Sequence, residues 1–137
     1  MRIFEKIEVA DLVDLCQFLQ RIDVAVKEAC LEPRHEYGCS DLSGYLPWMG
    51  PRYGFPGKDL LSVFRGEGMA LFLLARLVQP AVVAECYTGT GYSAAFLAAG
   101  WPKARVVSVD NYSEGGWGAQ ASASAVYLRD HLELSNL

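Results

Sequence analysis

The chain has 137 residues, enough for one domain, and its 52% hydrophobic and 20% charged content excludes a polar disordered chain. Twelve Lys and Arg against 16 Asp and Glu leave a net charge of −4. With no basic cluster, that balance argues against a nucleic-acid partner. The start, MRIFEKIEV, has no apolar signal core, and the longest apolar stretch, Met69 to Ala75, falls far short of the roughly 20 residues of a membrane span. The reading is a cytoplasmic chain with no membrane partner. Cys16, Cys30, Cys39 and Cys86 form no C-x-x-C pair, so they read as free thiols, buried or half-buried, with no metal site.

Leu12, Leu15, Leu19, Ile22 and Val26 step by three and four, which predicts a first helix with one apolar stripe. Packing on the domain and a seam with a second chain both fit that stripe. From Glu32 to Lys58, prolines and glycines alternate with Tyr37, Tyr45, Trp48, Tyr53 and Phe55. This predicts a long loop, either held down by its own rings or closing over a ligand. Residues 1–58 therefore read as a cap or oligomerisation element, and 59–137 as a second unit. A largely buried helix is expected over 59–78, stopped by Pro80.

The period then changes. Val82 to Glu85 is a short apolar run that fits a buried parallel strand. Thr88-Gly89-Thr90-Gly91 is a turn, and Tyr92 to Ala99 a helix, with Gly100 expected at its left-handed end position and Pro102 beyond. Arg105 to Val109 reads as a second strand, parallel to the first and ending in Asp110. A loop with Gly115, Gly116 and Gly118 leads to a last helix over 119–134, with Ala125, Leu128 and Leu132 on one face. The fold class is α/β: a Rossmann-like half, parallel strands with flanking helices, preceded by a helical region.

A strand that runs straight into a helix needs a turn with positive φ, which glycine adopts cheaply. The helix N-terminus then offers free N–H groups to an anionic or polar ligand. An acid at the end of the next strand, about 20 residues on, can accept from ribose hydroxyls, and Asp110 holds that place. A strand-end cap is the plainer role for Asp110. Gly89-x-Gly91-x-x-Ala94 also fits the dinucleotide spacing, a weak signal alone.

Glu67-Gly68 in a helix, then Glu85-Cys86-Tyr87-Thr88-Gly89-Thr90-Gly91-Tyr92-Ser93, then Val107-Ser108-Val109-Asp110, resembles class I S-adenosylmethionine-dependent methyltransferases. The likeness is closest to the small-molecule O-methyltransferase branch, and it covers residues 63–110. It implies S-adenosylmethionine as cofactor and a small-molecule substrate. It places Glu85 near the methionine ammonium and Ser93 near its carboxylate. Gly89 and Gly91 would lie where the cofactor approaches the backbone, Asp110 on the ribose and Asn111 near the adenine. It names no catalytic residue, and His35 and His131 read as solvated or capping side chains. Glu67 either borders the pocket or caps its helix.

Two departures stand out. Tyr87 occupies the place of the family's first turn glycine, with its ring either turned into the core or filling the methionine end of the site. The family's third strand would begin where Leu134 to Leu137 stand, so the expectation is a homo-oligomer or a partner chain supplying the missing half. The alternative is a degenerate or truncated methyltransferase-like subunit with a binding, assembly or non-methylating role.

Overall fold

The computed structural model describes residues 6–31, 65–86, 88–110 and 125–137. The aromatic loop, the 58/59 boundary, Tyr87, Asn111 and the loop glycines 115–118 lie outside these residues. Five elements follow in order: α1 (Val9–Leu31), α2 (Arg65–Val78), β1 (Val82–Cys86), α3 (Tyr92–Gly100) and β2 (Arg105–Val109). A helical segment at 125–131 follows. The molecule is mixed helix and strand, with a two-stranded parallel sheet and flanking helices. No helix among the described residues is long and apolar enough to cross a membrane.

α1 begins at a cap in which the Glu8 N–H donates to the Asp11 carboxylate at 3.0 Å, half of a capping box. Its buried face is Leu15, Phe18, Leu19, Ile22 and Ala25. This differs from the expected stripe: Leu12 is 46% exposed, and Phe18 points inward because two phenylalanines of other helices meet it. The Phe18 ring stacks on Phe72 at 5.8 Å and meets Phe96 edge-on at 5.1 Å. Arg76 of α2 bonds Asp14 of α1 and approaches Asp11. The Asp14 side chain is 47% exposed, so the ion pair contributes no more than about 1 kcal/mol. The aromatic cluster stabilises the helix contact more, since truncating a buried Phe costs about 3–5 kcal/mol.

α2 ends as expected before Pro80. Gln79 takes a left-handed φ of 49° and donates its N–H to Ala75 O, which closes the last turn. α2 and α3 approach closely through two glycines. A Cβ on Gly68 would stand 2.6 Å from the Phe96 ring, and one on Gly100 would stand 2.5 Å from the Phe72 carbonyl oxygen. The sequence pattern puts Gly100 just beyond the helix. It is instead the last helical residue, with Trp101 as the cap, and it is glycine because α2's backbone fills the space.

β1 and β2 pair in parallel with Val82 opposite Arg105 and Cys86 opposite Val109. Strand alternation sends Val83, Glu85, Val106 and Ser108 to the helix side. The other side shows Val82, Val107 and Val109, exposed by 61%, 38% and 56%. The sequence predicts strands buried on both faces; among the described residues the sheet is covered on one. The C-terminal segment is tied to β2. Asn136 O accepts the Val106 N–H at 2.8 Å, and its side-chain amide donates to Ala98 O and Ala104 O. The last helix stops at 131 rather than 134, because Glu133 turns left-handed at φ 57° and Arg21 donates to Leu132 O.

The glycine contacts predict opposite effects of one substitution. Gly100→Ala drives a methyl into the Phe72 main chain and should lower stability by about 1–3 kcal/mol. Gly66→Ala, which meets nothing within 4 Å, should raise it by about 0.5 kcal/mol through helix propensity. Urea denaturation of the two variants measures both.

Candidate functional site

The carboxyl ends of β1 and β2, the turn after β1 and the first residues of α3 meet in one place. Thr88 to Gly91 form a tight turn, with the Gly91 N–H donating to Thr88 O at 2.8 Å. Gly89 and Gly91 have φ of 51° and 80°, the conformation that calls for glycine here. Gly91 caps α3 but has no side chain to accept from its first N–H groups. The Gly91 Cα also faces the last helical segment, where a Cβ would stand 2.8 Å from Ala125 Cα. Its bareness therefore serves packing against residue 125.

Asp110 follows β2 and turns back to the loop. Its Oδ2 accepts the Gly89 N–H at 2.9 Å, and the Thr88 N–H points at Val109 O at 3.4 Å. Glu85, the fourth residue of β1, lies half-buried on the helix side with a hydroxyl on each oxygen. Ser93 donates to Oε1 and Ser108 donates to Oε2. Ser108 Oγ also lies 2.7 Å from Thr88 Oγ1. The Glu85 carboxylate thus sits at the first turn of α3, where the helix dipole favours negative charge.

A cleft of about 840 Å³ runs along β2, bordered by Thr88, Gly91, Ser108, Asp110, Arg129 and Asn136. Arg129 donates to Asp130 at 2.8 Å, and that hydrogen bond pushes its guanidinium pKa up. The volume lies within the range of small-molecule pockets, about 300–1,000 Å³.

Of the residues singled out in the sequence, Glu85, Gly89, Gly91, Ser93 and Asp110 come together. Tyr87 and Asn111 lie outside the described residues, as do His35 and the side chains of Cys30 and Cys39. The resemblance aims Ser93 at a ligand carboxylate; in the structure its hydroxyl is engaged with Glu85. Glu67 lies exposed in the first turn of α2. His131 is exposed and stacks on Tyr127 at 5.3 Å. Cys16 and Cys86 are exposed free thiols, not the buried or half-buried ones expected. Among the described residues, no group of three His, Cys, Asp or Glu could hold a metal ion. Thr88 and Ser108 join the cluster without having stood out as site residues in the sequence. The available signal was Ser108 itself, a hydroxyl on the inward face of a valine-rich strand, two residues before Asp110. No protein-family model, curated protein or solved structure matches this chain.

The Asp110 anchor predicts graded losses of stability. Asp110→Ala removes a charge-assisted bond from the Gly89 N–H and should cost about 1–3 kcal/mol in thermal denaturation. Asp110→Asn keeps an acceptor and should lose less than half of that.

Proposed function

We propose that this chain is a Rossmann-like methyltransferase that moves a methyl group from S-adenosylmethionine to a small-molecule acceptor. The observation that carries the reading is Asp110. Its carboxylate is held at the end of a parallel strand by the N–H of a positive-φ glycine, beside the cleft and the start of a helix. A carboxylate held at that place, after the second strand and beside the glycine turn, stands where the ribose of a nucleoside ligand lies on open parallel sheets.

The donor set fits the cofactor. Asp110 takes the ribose, and Thr88 and Ser108 are among the residues that line the cleft beside it. Glu85, clamped at the start of α3, is the anion for the ammonium of the methionine arm. S-adenosylmethionine supplies an electrophilic methyl group when bound. The chain's own residues bind and orient it, and methyl transfer is chiefly a matter of alignment. No catalytic residue is assigned in this reading.

A second reading, a methyltransferase-like subunit that binds or assembles without methylating, is favoured by the open valine face. Val82, Val107 and Val109 on a parallel sheet are an apolar surface of the kind that a partner or a second copy covers.

Titration calorimetry separates the readings. S-adenosylhomocysteine should bind and NAD should not. Asp110→Asn should weaken S-adenosylhomocysteine about 10- to 100-fold with the fold retained, the loss of roughly 1.5–3 kcal/mol expected of a charged hydrogen bond. NAD binding alone would point to dinucleotide chemistry. Binding of neither, with sedimentation as a dimer or larger, would favour the assembly role.

A further inference from the structure

We infer that Ser108 is a positioning residue, whose hydroxyl couples the Glu85 carboxylate to the Thr88 turn and thereby sets where the Glu85 charge meets the amino-acid arm of a bound nucleoside. The inference rests on the S-adenosylmethionine reading above and adds a residue outside the glycine-turn pattern.

The strand register places Ser108 directly opposite Glu85, and alternation puts both on the helix side of the sheet. A hydroxyl has one proton. With Ser108 giving its proton to Glu85, the 2.7 Å contact with Thr88 is made by the Thr88 proton. The result is a directed chain, Thr88 to Ser108 to Glu85, met from the other side by Ser93. A carboxylate with a donor on each oxygen cannot rotate without breaking one of them. Thr88 and Ser93 are only 9% and 8% exposed, so water is a poor replacement for either partner.

Removing the Ser108 hydroxyl acts on both ends of the chain. Glu85 Oε2 loses its donor, and Thr88 loses its acceptor. The ribose side is held separately, by the Gly89 N–H on Asp110. A positioning role therefore touches the arm of the ligand and spares its nucleoside. A purely structural role would weaken both.

The test uses the whole chain, with Ser108→Ala and Ser108→Thr, titrated with S-adenosylhomocysteine and with adenosine. Ser108→Ala should weaken S-adenosylhomocysteine about tenfold and leave adenosine within about twofold, and Ser108→Thr should restore the parent affinity. An equal loss for both ligands, no loss, or failure of threonine to rescue overturns the inference. If the parent chain binds neither ligand, the S-adenosylmethionine reading fails by itself, and amide hydrogen exchange then decides whether the junction exists. Faster exchange at Gly91, whose N–H donates to Thr88 O, in Ser108→Ala, restored in Ser108→Thr and with Phe96 and Ala98 unchanged, upholds the coupling of Ser108 to the turn. Unchanged exchange at Gly91 overturns it.

Discussion

The Phe96 ring lies against the bare Cα of Gly68, and the remaining packing is arranged around that contact. Phe96 is fully buried, and it meets Tyr92 at 5.0 Å and Phe18 at 5.1 Å. Any side chain at position 68 would push α2 off α3. Because Gly100 repeats the arrangement against Phe72 at the other end, α3 is fixed to α2 at two points. α3 cannot shift along its axis, and so its first turn is held at the carboxyl end of β1. Close packing of this kind transmits small changes over the whole contact rather than absorbing them locally.

The polar cluster depends on that placement. Ser93 reaches Glu85 only because the first turn of α3 is set beside the end of β1. Ser108 reaches the same carboxylate because β2 runs parallel to β1 in a register that sets position 108 opposite 85. Asp110, two residues further on, returns to the turn through Gly89. Three chain segments thus converge on hydrogen-bonded hydroxyls and carboxylates at one end of the sheet, where ligands of open parallel sheets bind. The opposite side of the sheet has a different character. Its exposed valines belong to a strand type that normally packs on both faces.

Local pattern was legible where a residue's neighbours in sequence decide its state. The two strands, the glycine turn and the stop at Pro80 all follow from short-range chemistry: β-branched runs, positive φ and a missing donor. Asp110 was legible from the strand–turn–helix–strand order, whereas Glu85 and Ser93 were marked out only by the family resemblance of the turn segment. The stripe on α1 was only partly legible. Leu12 and Phe18 are equally apolar, and which of them turns inward depends on Phe72 and Phe96, which come from distant parts of the chain.

The sequence by itself therefore determined the parallel strand pair, the positive-φ turn and the acid that follows β2, since each rests on conformational preferences of a few adjacent residues. Tertiary structure alone decided why Gly68 and Gly100 are glycine, that Ala125 packs against Gly91, and that Ser108 joins Glu85 to Thr88. Those facts are distances between segments far apart in the chain. Whether a bare Cα meets a ring, a backbone or open space depends on the crossing of two elements, and whether a serine is idle or shared depends on strand register, and neither is written in any one segment's own pattern.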